Sequence, residues 1–228
     1  MELPNFACLL CQQYSDHPIC EYCKTDTCFL ANAGYKDNLL FYPQISRQFR
    51  HSGYHTLYAC GEYQWPFTDL IHRMKFHRCL TSARILANWF VEFCIHEDTL
   101  LPDCLLPVPV HFRRFVGRRF NQAAVIARHI GNQIDRPVCY NWAHRHGGKA
   151  QHTLTRSQRL LNLRSAFTTS ITADYHHVAI IDDVLTTGVT ADVLAKQLRT
   201  QQPGLIIDVW VIALSTQKPL VQRTKWVD

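Results

Sequence analysis

The segment Val178-Ala-Ile-Ile-Asp-Asp-Val-Leu-Thr-Thr-Gly-Val-Thr190 leaves few folds open to this chain. An apolar run reads as a buried strand. It ends in two adjacent carboxylates, Asp182 and Asp183, and passes through hydroxyl residues around Gly188 into Ala191, Leu194, Ala195 and Leu198 at helical spacing. In open α/β sheets, ligands bind at the carboxyl ends of strands. The first turn of a helix offers unpaired N–H groups and a positive dipole end to an anion. Thr186, Thr187 and Thr190 add hydroxyl donors, and Gly188 permits close backbone approach. A phosphate would be repelled by the carboxylates, so those face vicinal ribose hydroxyls or a hydrated magnesium ion.

The remaining pattern agrees with an α/β chain. Leu105 to Val110 is short, apolar and bounded by proline, and reads as a strand ending in a loop. Ala83, Leu86, Ala87, Phe90 and Cys94 predict a helix from about Asp69 to His96. Ala123, Ile126, Ala127 and Ile130 predict another, closed near Gly131. The helix after Thr190 is expected to stop at Pro203-Gly204, before a last strand from Leu205 to Leu214. Strands alternating with helices imply a mostly parallel sheet with helices on both faces.

Residues 1 to about 60 differ: they are rich in Cys, Tyr and His, lack clear periodicity, and read as a small metal-stapled module with a few short strands or turns. Cys8-x-x-Cys11 and Cys20-x-x-Cys23 place two thiol pairs at a spacing suited to tetrahedral zinc. Of ten cysteines, these four favour a metal in a reducing compartment over a disulfide framework. His17 and Cys28 stand nearby as substitute ligands. A zinc site this small is a fold staple or docking surface rather than a catalyst. The expected organisation is therefore a zinc-binding module over 1–60 and an α/β domain over 61–228.

The chain of 228 residues carries a net charge of +6, unevenly spread. Residues 111–164 hold eleven Lys or Arg against one acid, Asp135, for a local charge of +10, and the remainder carries −4. Such a segment attracts phosphates, on a small molecule or on nucleic acid, unless it is only a solvated basic face. With 47% apolar residues the chain can build a full core. No stretch approaches the roughly 18 apolar residues of a membrane helix, and the N-terminus lacks a signal-peptide pattern. The expectation is a soluble cytoplasmic protein without membrane insertion.

The 178–190 segment resembles the 5-phosphoribosyl 1-diphosphate (PRPP) motif of type I phosphoribosyltransferases. That resemblance implies that Asp182 and Asp183 hold ribose hydroxyls. It implies too that Leu185, Thr186, Thr187, Gly188, Val189 and Thr190 hold the 5-phosphate, with Mg accompanying PRPP in an active enzyme. Purine-salvage members for hypoxanthine or guanine usually carry an Asp where this chain has Thr186, which argues against that subgroup.

Upstream, Leu106-Pro-Val-Pro-Val110, Arg113-Arg114 and Arg118-Arg-Phe-Asn-Gln122 resemble the ComF pattern of a Val-Pro strand end followed by Arg-Gly-Phe-Asn-Gln, with Arg119 in place of its Gly. Gln151, Leu154, Arg159-x-x-Asn162 and Phe167, and earlier Tyr63 and Lys75-Phe76, resemble further ComF stretches. ComF relatives also carry a comparable N-terminal cysteine motif.

The resemblance implies a type I phosphoribosyltransferase-like fold with a four-cysteine zinc knuckle. Arg113, Arg114, Arg118, Arg119 and Arg159 would bind pyrophosphate or nucleic-acid phosphate. Residues 141–166, with Arg145 and Arg156, would form a hood over the acceptor or a nucleic-acid contact. Asn121 and Gln122 are read as helix caps. ComF proteins are associated with natural transformation, which implies handling of single-stranded DNA alongside other competence proteins. An active phosphoribosyltransferase of unknown acceptor, or a non-catalytic phosphate or nucleic-acid binding module, are the mechanistic alternatives.

Overall fold

The computed structural model describes residues 7–49, 53–110, 120–146, 166–171 and 173–221. Its centre is a four-stranded parallel sheet in the order β1-β6-β5-β2. The strands are β1 (Thr56–Glu62), β2 (Cys104–Pro107), β5 (His177–Leu185) and β6 (Ile206–Leu214). A two-stranded antiparallel ribbon, β3 (Ala143–Arg145) with β4 (Phe167–Thr169), forms a second sheet. The described helices are α1 (Glu21–Thr25), α2 (Pro43–Phe49), α3 (Phe67–His77), α4 (Leu80–Cys94), α5 (Gln122–Ile134) and α6 (Val189–Gln201).

Both faces of the sheet are covered, as a parallel sheet requires. Along β5, Val178 and Ile180 point into one apolar layer, with Ile207 and Val209 of β6, Ile45 and Phe49 of α2, and Leu194 and Leu198 of α6. The intervening Ala179 and Ile181 point into the other, with Trp210 and Ile212, Leu70 and Met74 of α3, Leu86 and Phe90 of α4, and Ile126 and Ile130 of α5. The period-2 alternation of β5 and β6 thus separates α2 and α6 from α3, α4 and α5.

Two expectations change. The helix predicted over 69–96 is two helices. Arg78 adopts a left-handed conformation (φ 53°) at the end of α3, and α4 restarts at Leu80. α5 runs through Gly131 to Ile134 and ends at Asp135 (φ 54°). Gly131 is there because the chain folds back against it: a Cβ would lie 2.6 Å from the Arg136 carbonyl oxygen. The N-terminal segment is built mainly of short helical turns, and its Leu30, Leu39, Ile45 and Phe49 belong to the same apolar layer as β5 and β6. β1 begins at Thr56, so residues on both sides of position 60 pair with β6.

Candidate functional site

β2 ends at Pro107 opposite Ile181, while β5 continues beside β6 to Leu185. The side of β5 facing β2 is therefore left open from Asp182 onward. β5 is also where the winding reverses: α5, which precedes it, covers one face and α6, which follows it, covers the other. A crevice at such a switch point is where ligands of open α/β sheets bind. A cleft of about 260 Å³ occupies it, lined by Asp182, Asp183, Thr186 and Thr190, by Val108 and Gln122, and by Lys75 and Arg145.

The carboxylate pair is asymmetric. Alternation turns Asp183 toward the α3 layer, where its Oδ2 forms an ion pair with Lys75 Nζ; both side chains are largely buried. Asp182 Oδ1 accepts a hydrogen bond from the Asp183 backbone N–H at 2.9 Å. Burial, and then the neighbouring Asp183 charge, push the Asp182 carboxyl well above the ordinary carboxylate value.

Beyond the acids, Leu185 is buried, Thr186 and Thr187 are exposed, and Gly188 is buried in a left-handed conformation (φ 74°) as the N-cap of α6. That conformation is what brings the chain from strand into helix, and it suits glycine. The loop is held from outside the motif. Gln48 Nε2 donates to the carbonyls of Thr186 (3.3 Å) and Ser215 (2.8 Å). Asp192, in the first turn of α6, accepts from Gly53 N–H at 2.9 Å and pairs with Lys196 at 2.7 Å.

The β3–β4 ribbon borders the cleft. Trp142, fully buried, donates its indole N–H to the Pro107 carbonyl at 2.9 Å, tying the ribbon to the end of β2. Gln197 and Gln201 of α6 donate to the carbonyls of Phe167 and Thr169 at 2.9 and 2.7 Å. Arg145 lies over the Phe167 ring at 5.2 Å. Asn121 is the N-cap of α5: its Oδ1 accepts from Ala124 N–H at 3.3 Å while its Nδ2 donates to the Val108 carbonyl at 3.0 Å. Gln122 lines the cleft instead. Arg113, Arg114, Arg118, Arg119, Arg156 and Arg159 lie outside the described residues.

The second site is the cysteine cluster. The sulfurs of Cys8, Cys11, Cys20 and Cys23 all lie within 4.8 Å of one another. Cys11 and Cys20 Sγ are 3.7 Å apart, close to the about 3.8 Å edge of a tetrahedron with Zn–S bonds of about 2.3 Å. Backbone N–H groups already point at the sulfurs: Leu10 and Cys20 N–H donate to Cys8 Sγ, each at 3.4 Å. Against the upward push of burial, the N–H groups of Cys11, Cys20 and Leu10 bring the Cys8 thiol down to about 6. These four residues could hold one structural zinc ion.

The knuckle seats on α4 through Phe29, which stacks on Phe93 with ring centres 3.7 Å apart and meets Trp89 edge-on at 5.1 Å. Lys24 and Glu92 pair at its rim at 2.7 Å.

Lys75, Gln48 and Asp192 escaped the sequence reading as contributors to the geometry around the carboxylates and the strand-to-helix turn. Lys75 had a signal, standing in the ComF-like Lys75-Phe76 pair; the contacts of Gln48 with Thr186 and Ser215 and of Asp192 with Gly53 had none, since those partners are remote in sequence.

No helix among the described residues is long and apolar enough to cross a membrane. No family model matches the chain. Competence protein F of Haemophilus influenzae is similar to it, 28% identical over 218 residues that span 87% of this chain and 93% of that relative. DNA utilization protein YhgH of Escherichia coli is 29% identical over 161 residues, 68% of this chain and 70% of that protein. The YhgH protein of Shigella flexneri matches over the same shares.

Proposed function

The chain belongs to the ComF family, and from that premise we propose that it serves competence or DNA utilisation through a ribose-phosphate binding site at the carboxyl end of β5. One observation carries the reading: a single cleft brings Asp182, Asp183, Thr186 and Thr190 together beside the N-terminus of α6. A phosphate in the 185–190 loop would meet the Thr186 and Thr190 hydroxyls and the first-turn N–H groups of α6. Carboxylate oxygens accept hydrogen bonds, so Asp182 and Asp183 are suited to vicinal hydroxyls of the attached ribose. PRPP is a ligand of this chemistry. The basic 111–164 segment, with Arg113, Arg114, Arg118, Arg119 and Arg159, would add contacts to pyrophosphate or to single-stranded DNA. The cysteine knuckle supplies a zinc staple, away from the chemistry.

Calorimetric titration with PRPP and magnesium tests the site. The Asp182→Asn, Asp183→Asn variant keeps the shape and removes the charge. Losing charge-assisted hydrogen bonds costs about 1.5–3 kcal/mol, roughly tenfold to hundredfold in affinity. Equal affinity in the two proteins, or no binding by the wild type at millimolar ligand, overturns the reading.

A further inference from the structure

Lys75 does something in this cleft that the carboxylate motif does not call for. Its ammonium pairs with Oδ2 of Asp183, an oxygen shut off from solvent, and its side chain forms part of the cleft wall. The lysine is placed there by the fold. α3 is anchored on the sheet by Phe67, Leu70, Ile71 and Met74, all buried, and Lys75 follows in its last turn. Asp183 meets it near the end of β5, beside the α3 layer, with Asp182 next to it in the same cleft.

The consequence is electrostatic. Two adjacent carboxylates would repel a phosphate a few ångströms away unless a cation offset them. A divalent cation is one solution. It needs several oxygen ligands in near-octahedral array and retains waters reluctantly shed. Here one oxygen of the pair is already committed to an ammonium on a short, fixed path from α3, and a cation could claim it only by displacing Lys75.

Resting on the ribose-phosphate reading, we infer that Lys75 stands in for a divalent cation in this cleft, so that the site takes up a ribose phosphate without magnesium. Lys75 offsets the charge of Asp183 and holds that carboxylate beside Asp182 in the cleft. Lys75 is thus a positioning residue that spares the two acids a metal ion of their own, whatever ion a diphosphate carries in.

Ribose 5-phosphate is the probe, because it lacks the pyrophosphate that carries magnesium into a site. Calorimetry is run in magnesium-depleted buffer, gently enough to leave zinc in the knuckle, and again with magnesium added. The wild-type affinity is expected to be the same in both within about twofold. Lys75→Met is expected to bind about tenfold or more weakly without magnesium and to recover in part when magnesium is added, while Lys75→Arg keeps metal-independent binding. A wild type that binds only with magnesium, or Lys75→Met binding as tightly as wild type without it, overturns the inference while leaving the ribose-phosphate site standing. No binding by wild type under either condition overturns the ribose-phosphate reading itself and the inference with it. Thermal melting confirms that each variant is folded. If Lys75→Met does not fold, the paired wild-type titrations still decide the matter.

Discussion

The cysteine knuckle and the β5 cleft are both places where this chain crowds groups that repel one another, and they are built in opposite ways. In the knuckle, four sulfurs that could share one ion come from a single stretch between Cys8 and Cys23. The turns that gather them are local: Gln12 N–H returns to the Cys8 carbonyl at 2.9 Å, and Cys20 caps α1. In the cleft, the groups come from α3, the end of β2, α5, β3, β5 and the start of α6. Its repulsion is answered by a lysine 108 positions away in sequence from its partner acid, Lys75 to Asp183. A local site is complete once its turn has formed, whereas an assembled site exists only when the whole sheet does.

The sharpest break of that comparison comes at the knuckle. Replacing Cys20 and Cys23 together with Ser should abolish stoichiometric zinc, and with it a metal contribution of about 10 kcal/mol or more in small zinc folds. The knuckle should come loose from Phe93 and Trp89 while the sheet survives. Metal analysis and hydrogen exchange check this. Protection lost around Phe29 but retained in β5 and β6 is the expected result; zinc retained by the variant contradicts the ligand set.

An intermediate effect is expected at Gly188. Its φ of 74° is costly for a β-branched residue, so Gly188→Val should destabilise the fold by about 1–3 kcal/mol and bar close approach of a phosphate. Chemical denaturation together with inorganic-phosphate titration reads both losses. A variant with unchanged stability would show that the loop has conformational freedom that the knuckle lacks.

The smallest effect concerns protons. The Asp182 carboxyl is raised in the folded state, by burial first and by Asp183 second, with Lys75 acting the other way. Arg145 also borders the cleft. A raised carboxyl binds its proton in the folded chain where the unfolded chain has already lost it. Its contribution to stability is therefore full below about pH 4 and declines as pH rises through the raised value. Asp182→Asn should flatten that decline, so the variant gains on wild type as pH rises. Melting curves across that range in the absence of ligand measure it, and parallel profiles for the two proteins contradict the assignment.

Particular elements show why some of this was legible in one dimension and some was not. The strand–acid–turn–helix run at 178–190 is contiguous, and its apolar alternation, its two acids and its glycine each act on near neighbours, so β5 and α6 emerge in order. The break between α3 and α4 was hidden, because no Gly or Pro stands between Pro66 and Pro102 to mark it; Arg78 takes the left-handed turn that lets both helices pack on the same face of the sheet. Gly131 misled in the other direction. It suggests a helix end, yet its role is to admit the Arg136 carbonyl against the helix.

The sequence by itself determined which residues are chemically equipped: the paired thiols, the twin carboxylates, the hydroxyl-rich loop, and the parallel α/β pattern that puts a loop at a strand's carboxyl end. These follow from spacing along the chain, since covalent geometry and short turns bring near neighbours together whatever the rest of the molecule does. Only the tertiary structure decided that Lys75 answers Asp183, that Gln48 reaches the Thr186 carbonyl and Asp192 the Gly53 N–H, and that Trp142 ties the ribbon to the end of β2. Those contacts join segments far apart in sequence. They depend on which face of the sheet each helix covers, a choice made by apolar burial over the whole chain.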